Sequence, residues 1–137
     1  MFGRTVTFFC LHDGKWYPRV FHDAQVSRDR GYITRTYGQT ASETVAVHIK
    51  RLGDKAEGLF DVYEPKAWKE LLNVSGAVTF NAGDIIWLGE YNDVHPIEDE
   101  SVPQGFLAHF RGEHDCVYTL TQVADYTEIP HWEIAGR

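Results

Sequence analysis

Alternating apolar and polar positions mark one strand clearly, at residues 44–50. Val45, Val47 and Ile49 fall on one side of this segment, and the residues between them fall on the other. A period of two is typical of a strand with one buried face. Further short runs of aliphatic and aromatic residues occupy positions 78–80, 85–88, 106–110, 116–123 and 131–135. Such a succession of short segments predicts a mainly β domain.

A β-hairpin is indicated near the start of the chain. Residues 4–11 and 15–22 both have a β-type composition, and His12-Asp13-Gly14 separates them. Asp-Gly supplies the positive φ angles that a tight hairpin turn requires. Pro18 lacks an amide donor, which places the second strand at a sheet edge or at a bulge.

The chain becomes polar after this hairpin, across residues 24–43. Arg28, Arg30 and Arg35 surround a short Tyr-Ile-Thr run, and residues 38–42 form a Gly-Gln-Thr-Ala-Ser stretch. This pattern predicts a strand followed by a mobile loop.

One short α-helix is predicted, at residues 65–73. Pro65 suits the first helical position. An i, i+3, i+4 stripe follows it, formed by Trp68, Leu71 and Leu72. This spacing is typical of a helix with one buried face.

The fold class follows from the order of these segments. Residues 92–104 are acidic, contain two prolines and have little apolar content, so we expect a long solvated loop there. With 137 residues, of which 43% are hydrophobic, the chain has the size and composition of one globular domain. We therefore expect residues 1–137 to form a small β-barrel or sandwich with one short α-helix and long loops.

Charge is distributed unevenly along the chain, whose formal net charge is -7. Residues 1–69 contain 11 basic and 8 acidic side chains, whereas residues 70–137 contain 2 basic and 12 acidic ones. An acidic protein is a poor general binder of nucleic acid, because such binders neutralise phosphates. The longest uncharged apolar stretch is far short of the roughly 20 residues of a membrane helix. The first 30 residues lack an export-signal pattern, which favours a reducing cytoplasm.

Histidines are the first candidates for a functional site. His95, His109 and His114 lie near Glu113 and Asp115 in the sequence, an arrangement that suggests metal ligands. On one strand, however, His109 and His114 would point to opposite faces. We therefore interpret them as ordinary surface histidines and predict no metal ligand.

Other chemistry is weakly indicated. The acidic run at residues 98–100 lacks the spaced ligands of a calcium loop. Cys10 and Cys116 are interpreted as buried side chains, since neither lies in a nucleophile motif. Asp84 follows a glycine and is interpreted as a turn residue. We therefore expect no catalytic residue and no cofactor, and we predict that the protein is not an enzyme.

Six segments carry a resemblance: TVTFF at residues 5–9, WYPRV at 16–20, VAVHIKR at 45–51, AGDIIWLGE at 82–90, CVYTLTQVADY at 116–126 and IPHWEIAGR at 129–137. Their order resembles that of the head-closure (stopper) and head-tail joining proteins in the neck of long-tailed bacteriophages. The last segment is also similar to the ending of minor-capsid proteins in prophages of Gram-positive bacteria.

This resemblance implies a β-barrel subunit of a ring, hexameric in arrangement, that lies in the virion neck after assembly in the host cytoplasm. The ring would contact the portal and adaptor complex and the tail proteins, would retain packaged DNA that lies close to its lumen, and would involve no membrane. By the same resemblance, the loop after the second strand reaches toward the lumen or a partner. The implied interface consists of Arg28, Arg30, Arg35, Gly38, Gln39, Thr40, Ala41 and Ser42.

Two alternatives from other functional classes remain open. The first is a monomeric β-barrel that binds a small ligand or a metal through His109 and His114, with or without enzymatic activity. The second is a phage protein that binds a host factor. Metal analysis and identification of binding partners would separate these alternatives from a virion protein.

Overall fold

A computed structural model describes the backbone of residues 3–35, 38–126 and 131–137, and the side chains of residues 3–28, 43–124 and 131–137. Strand accounts for 51% of the chain and helix for 14%. The strands are β1 (Arg4–His12), β2 (Lys15–Arg35), β3 (Gly38–Leu52), β4 (Lys55–Ala56), β5 (Phe60–Val62), β6 (Ala77–Val78), β7 (Ile85–Trp87), β8 (Ile97–Glu98), β9 (Val117–Tyr126) and β10 (His131–Gly136). The helices are α1 (Pro65–Lys69) and α2 (Phe106–Glu113), with a 3-10 turn at Asp99–Ser101.

Six of these strands close into a barrel, which confirms the predicted mainly β fold and selects the barrel over the sandwich. They follow the order β3, β10, β9, β7, β1 and β2, and antiparallel pairing of β2 with β3 closes the ring. The first part of β2 pairs with β1, and the part from Gln25 onward pairs with β3. Closure removes the free sheet edges that an open sheet of these strands would present.

The predicted first hairpin is present. Asp13 and Gly14 have φ angles of 51° and 75°, so the Asp-Gly turn adopts the left-handed backbone that the sequence indicates. Pro18 pairs with Phe9 in a section of β2 whose only strand partner among the described residues is β1. The edge position expected for Pro18 is therefore confirmed.

Aromatic side chains fill the core. The ring of Phe8 lies 5.6 Å from that of Phe21 and 5.3 Å from that of Phe80, and Phe80 lies 5.9 Å from Trp132. Aliphatic residues that are fully buried surround these rings: Val6, Val47, Ile49, Ile86 and Ile134. A small barrel is expected to be closed by its own side chains in this way.

The helix predicted at residues 65–73 is shorter than expected and ends at Lys69. Its Trp68 is 1% exposed and donates a hydrogen bond from Nε1 to the carbonyl oxygen of Leu11, 2.9 Å away. Leu72, by contrast, is fully exposed. The helix ends here because the backbone N–H groups of Glu70 and Leu71 bond to the carbonyl oxygens of Ala67 and Trp68, three residues back, and close the last turn.

The predicted strand at residues 106–110 is wrong, since these residues begin the helix α2. Phe106 and Phe110, four residues apart, lie on one helix face, and the centroid of each ring is 5.2 Å from that of Phe9. The part of the chain that the structure describes thus contains two short α-helices rather than the one predicted. None of the helices in the described ranges is long and apolar enough to cross a membrane.

The acidic segment 92–104 is more ordered than the predicted solvated loop. It contains β8, which pairs with Lys15 and Trp16, and the 3-10 turn that follows. Oδ1 of Asp99 accepts hydrogen bonds from Trp16 Nε1 and from the backbone N–H of Phe106, each at 2.9 Å. These bonds hold the pKa of Asp99 below its usual range and join the acidic segment to the first turn of α2.

Candidate functional site

The long β2–β3 hairpin continues beyond the barrel wall. β3 pairs with β10 only as far as Val45, which lies opposite both Gly136 and Arg28. Seven further residue pairs, from Asp29 opposite Thr44 to Arg35 opposite Gly38, join β2 to β3 alone. We call residues 29–35 and 38–44 the arm. At about 3.3 Å per residue, the paired part of the arm is about 20 Å long.

The arm includes most of the interface residues implied by the sequence. Arg30 and Arg35 lie on its β2 side, and residues 38–42 form its β3 side. The prediction of a mobile loop at residues 38–42 is therefore wrong, because the backbone there forms a strand paired with β2. Gly and Ser favour turns in isolation, but pairing with the Tyr-Ile-Thr run of β2 overrides that local preference. The side chains of these residues lie outside those that the structure describes.

Arg28 lies at the base of the arm, where three strands meet. Its Nη1 donates to Sγ of Cys116 at 3.1 Å, and its Nε lies 3.6 Å from Oε1 of Glu43. The same Oε1 accepts a hydrogen bond from the hydroxyl of Tyr118 on β9. Burial, followed by this hydrogen bond to a carboxylate, raises the pKa of Tyr118 to about 12, so the hydroxyl keeps its proton. These contacts fasten both strands of the arm to the barrel.

A cleft of about 500 Å³ opens at the base of the arm. Its lining combines the residues just described with the end of β10: Arg28, Glu43, Asp115, Cys116, Val117, Tyr118 and Arg137. Cys116 has a φ angle of 60°, a left-handed conformation that is uncommon for residues other than glycine. It is half-buried, in partial agreement with the predicted burial.

The histidines considered from the sequence do not come together. His95 pairs with Asp93, His109 lies 3.3 Å from Glu113 in the next turn of α2, and the ring of His114 packs against Phe110. Each has a separate local partner, so this structure does not unite them as one metal site.

A different group of possible ligands lies on the outer face of the barrel. His48 on β3 is directly opposite Glu133 on β10, and His131 lies two residues before Glu133. One ligand atom from each of the three lies within 4.8 Å of the other two. Among the side chains that the structure describes, this is the only group of three or more potential ligands that close together. The sequence analysis missed it, although strand alternation at residues 44–50 does place His48 on the outward face.

Asp84 is a turn residue, as expected, but it is also buried. Only 4% of its surface is exposed, its Oδ1 lies 3.5 Å from the backbone nitrogen of Leu11, and its Oδ2 has no hydrogen-bond partner in the protein. Burial raises the pKa of this carboxyl to about 7. It lines a cleft of about 610 Å³ together with His12 and Trp68.

Cys10 lies close to this carboxyl and is fully buried, which confirms the prediction for this residue. Its thiol donates to the carbonyl oxygen of Thr79 at 3.2 Å. Burial and then the neighbouring Asp84 raise the pKa of the thiol to about 12, so it stays protonated at neutral pH. A thiol in this state is a weak nucleophile, which favours a packing role.

These features define a small closed β-barrel that carries a projecting two-stranded arm with a polar base. The chain belongs to a family of unknown function, DUF6751, whose profile matches residues 3–137. Neither the curated proteins nor the solved structures include a significant match to it.

Proposed function

We propose that the protein is a structural subunit of a larger assembly and that its arm binds a neighbouring subunit. The specific assembly we propose is the neck of a long-tailed bacteriophage, where a ring of these subunits would close the head, retain packaged DNA and dock the tail. The arm supports the role of a structural subunit, and the sequence resemblance supports the phage neck as the assembly.

The arm supports an assembly role because a ribbon of two strands is marginally stable alone in water. Among the described residues, no third strand pairs with residues 29–35 or 38–44. Along the outer edges of residues 29–35 and 38–42, no strand among the described residues pairs with the backbone N–H and C=O groups. Such edges readily pair with another chain, and pairing would stabilise the ribbon.

Packing in the core favours an assembly role over the alternative of a ligand-binding barrel. The rings of Phe8, Phe21, Phe80 and Trp132 contact one another in the core cluster. A barrel with six strands is narrow, and these side chains occupy its interior. The surfaces left for recognition are the arm, the clefts and the outer wall.

Charge favours one orientation of the arm in an assembly. Arg28, Arg30 and Arg35 follow one another along β2, whereas the second half of the chain is strongly acidic. Opposite charges on two copies would guide them into contact in one arrangement. In the proposed ring, the arm of one subunit would lie against the acidic part of its neighbour.

Shortening the arm tests this proposal without altering the barrel. Residues 32–41 would be replaced by Asn-Gly, so that this two-residue turn joins Gly31 to Ser42. These two residues are already opposite each other, and they lie four pairs from Arg35 and Gly38, so the alternation of the ladder is preserved. Asn-Gly is a favoured two-residue hairpin turn. Light scattering after size exclusion would compare the mass of the variant with that of the unchanged chain.

We expect the unchanged chain to form a multimer, alone or with its partner proteins, and the shortened chain to remain a monomer with a similar thermal midpoint. A second variant, R28E/R30E/R35E, is expected to fold and to assemble more weakly, since it reverses the charge of β2. Multimers of unchanged size in both folded variants would contradict the role of the arm.

The phage assignment needs a separate experiment in the strain that carries the gene. Deletion of the gene should yield free tails and heads that have lost their DNA, and mass spectrometry should detect the protein in intact particles. Intact infectious particles that lack the protein would refute the neck assignment. Recovery of a host protein in place of particle proteins would support the host-factor alternative.

A further inference from the structure

We propose that His48, His131 and Glu133 form a binding site for a divalent transition-metal ion, with Zn²⁺ as the best-suited ion. The site lies on the outer wall of the barrel and joins β3 to β10. None of its three ligands lies in the arm.

Backbone register brings the three side chains together. Glu133 is directly opposite His48 in the antiparallel ladder, and His131 points to the same face because it lies two residues from Glu133. Side chains that are directly opposite have Cβ atoms about 5 Å apart, and diagonal ones remain within reach of long side chains. The group is thus held by two hydrogen-bonded strands rather than by a loop.

The distances require only a small adjustment to bind an ion. Nε2 of His48 lies 4.0 Å from Oε1 of Glu133, and the rings of His48 and His131 stack with centroids 5.4 Å apart. In a tetrahedral zinc site, bonds of about 2.0–2.2 Å place neighbouring ligand atoms roughly 3.4 Å apart. The ligand atoms of all three residues lie within 4.8 Å of one another, so the side chains must rotate to bring them to that distance. The side chains of His48 and Glu133 are 40% and 39% exposed, so they have room to rotate.

The donor set selects the class of ion. Two imidazoles and one carboxylate suit zinc and its neighbours, whereas Mg²⁺ and Ca²⁺ prefer sites made wholly of oxygen. Three protein ligands leave a fourth position for water. Gln25 lies opposite His48 on β2 and is exposed.

The charges beside the site do not oppose a cation. Lys50 lies opposite His131, but its ammonium group is 2.9 Å from Oδ2 of Asp23 and is paired with that carboxylate. Because metal ions bind imidazole in its neutral form, protons compete with the metal and binding should weaken in acid.

Metal titration of the full-length protein tests the site. After removal of metals with a chelator, Zn²⁺ would be titrated in competition with a chromophoric chelator, and Co²⁺ would report coordination by its visible absorption. We expect one ion per chain, and at least a tenfold loss of affinity in each of H48A, H131A and E133Q. A rise of the thermal midpoint with Zn²⁺ should disappear in the same variants.

His109→Ala is the matched control, because it removes a histidine that also lies beside a glutamate but has no third ligand. It should bind Zn²⁺ like the unchanged protein. Nitrogen-15 NMR of the unchanged protein is a test that needs no variant. Zn²⁺ should shift the ring-nitrogen signals of two histidines. Absence of stoichiometric binding, binding unaffected by H48A and H131A, or equal loss in H109A would overturn the proposal.

Discussion

The buried carboxyl of Asp84 should make the stability of this protein fall as pH rises, and Asp84→Asn should remove that effect. Asp84 is 4% exposed, and burial raises its pKa from an ordinary value of 3.8 to about 7. The folded state therefore binds the proton more tightly than the unfolded state does. A group of this kind favours folding below pH 4 and loses its contribution as pH rises to about 7.

The expected size follows from the difference between the two pKa values. About three units, at 1.36 kcal/mol each, correspond to roughly 4 kcal/mol between pH 4 and pH 8. Relative to the unchanged protein, Asp84→Asn should therefore gain up to about 4 kcal/mol over this range. The absolute offset between the two proteins depends on how the amide packs near Leu11, so the prediction concerns the change with pH. The other carboxyl groups are common to both proteins and cancel in the difference.

Urea unfolding followed by tryptophan fluorescence would measure these free energies between pH 4 and pH 8. The control is Asp13→Asn, which removes a carboxyl from an exposed position of the same cleft. A similar change in that variant would assign the effect to net charge rather than to burial. Parallel stability curves for Asp84→Asn and the unchanged protein would refute the reasoning, since they would mean that Asp84 is ionised in the folded state.

Three further substitutions test packing and hydrogen bonds around the barrel. Trp68→Ala should lower the free energy of unfolding by about 3–5 kcal/mol, because it empties a buried site, whereas the exposed Leu72→Ala should change it by less than about 0.5 kcal/mol in the same denaturation assay. Asp99→Ala should cost about 1–2 kcal/mol at neutral pH, because it removes two hydrogen bonds at the start of α2. Since those bonds lower the pKa of Asp99, the cost should shrink as pH falls below about 4. An equal cost at pH 3 and pH 7 in chemical denaturation would contradict this assignment.

The parts of the fold that could be predicted from the sequence depend on local signals. The Asp-Gly turn, the alternation at residues 44–50 and Pro65 at the start of α1 each reflect a backbone preference that acts within a few residues. The run at residues 106–110 was misassigned because its apolar residues fit a strand as well as a helix. Contact with Phe9 and the hydrogen bond that the backbone N–H of Phe106 donates to Asp99 decide in favour of a helix, and Phe9 is distant in sequence.

The sites depend on pairing between strands that are distant in sequence, and the sequence alone does not show that pairing. His48 and Glu133 are 85 positions apart, and only the pairing of β3 with β10 places them opposite each other. The burial of Asp84 likewise depends on packing against β1 rather than on its own turn. The resemblance places Arg28 at an interface, but its contacts with Cys116 and Glu43 require the barrel to be closed.

Strand β3 connects the two surfaces for which we propose functions. Its first half forms one side of the arm, and its second half is held in the barrel wall between β2 and β10. Since a strand is continuous and hydrogen-bonded on both sides within the wall, the direction of the arm is set by the pairs from Val45 to Lys50 and by the contacts of Arg28 at the base. His48 lies within this anchoring section, three residues from the point where the arm leaves the barrel. A metal bound there would therefore act on the support of the arm and leave its tip free to contact a partner.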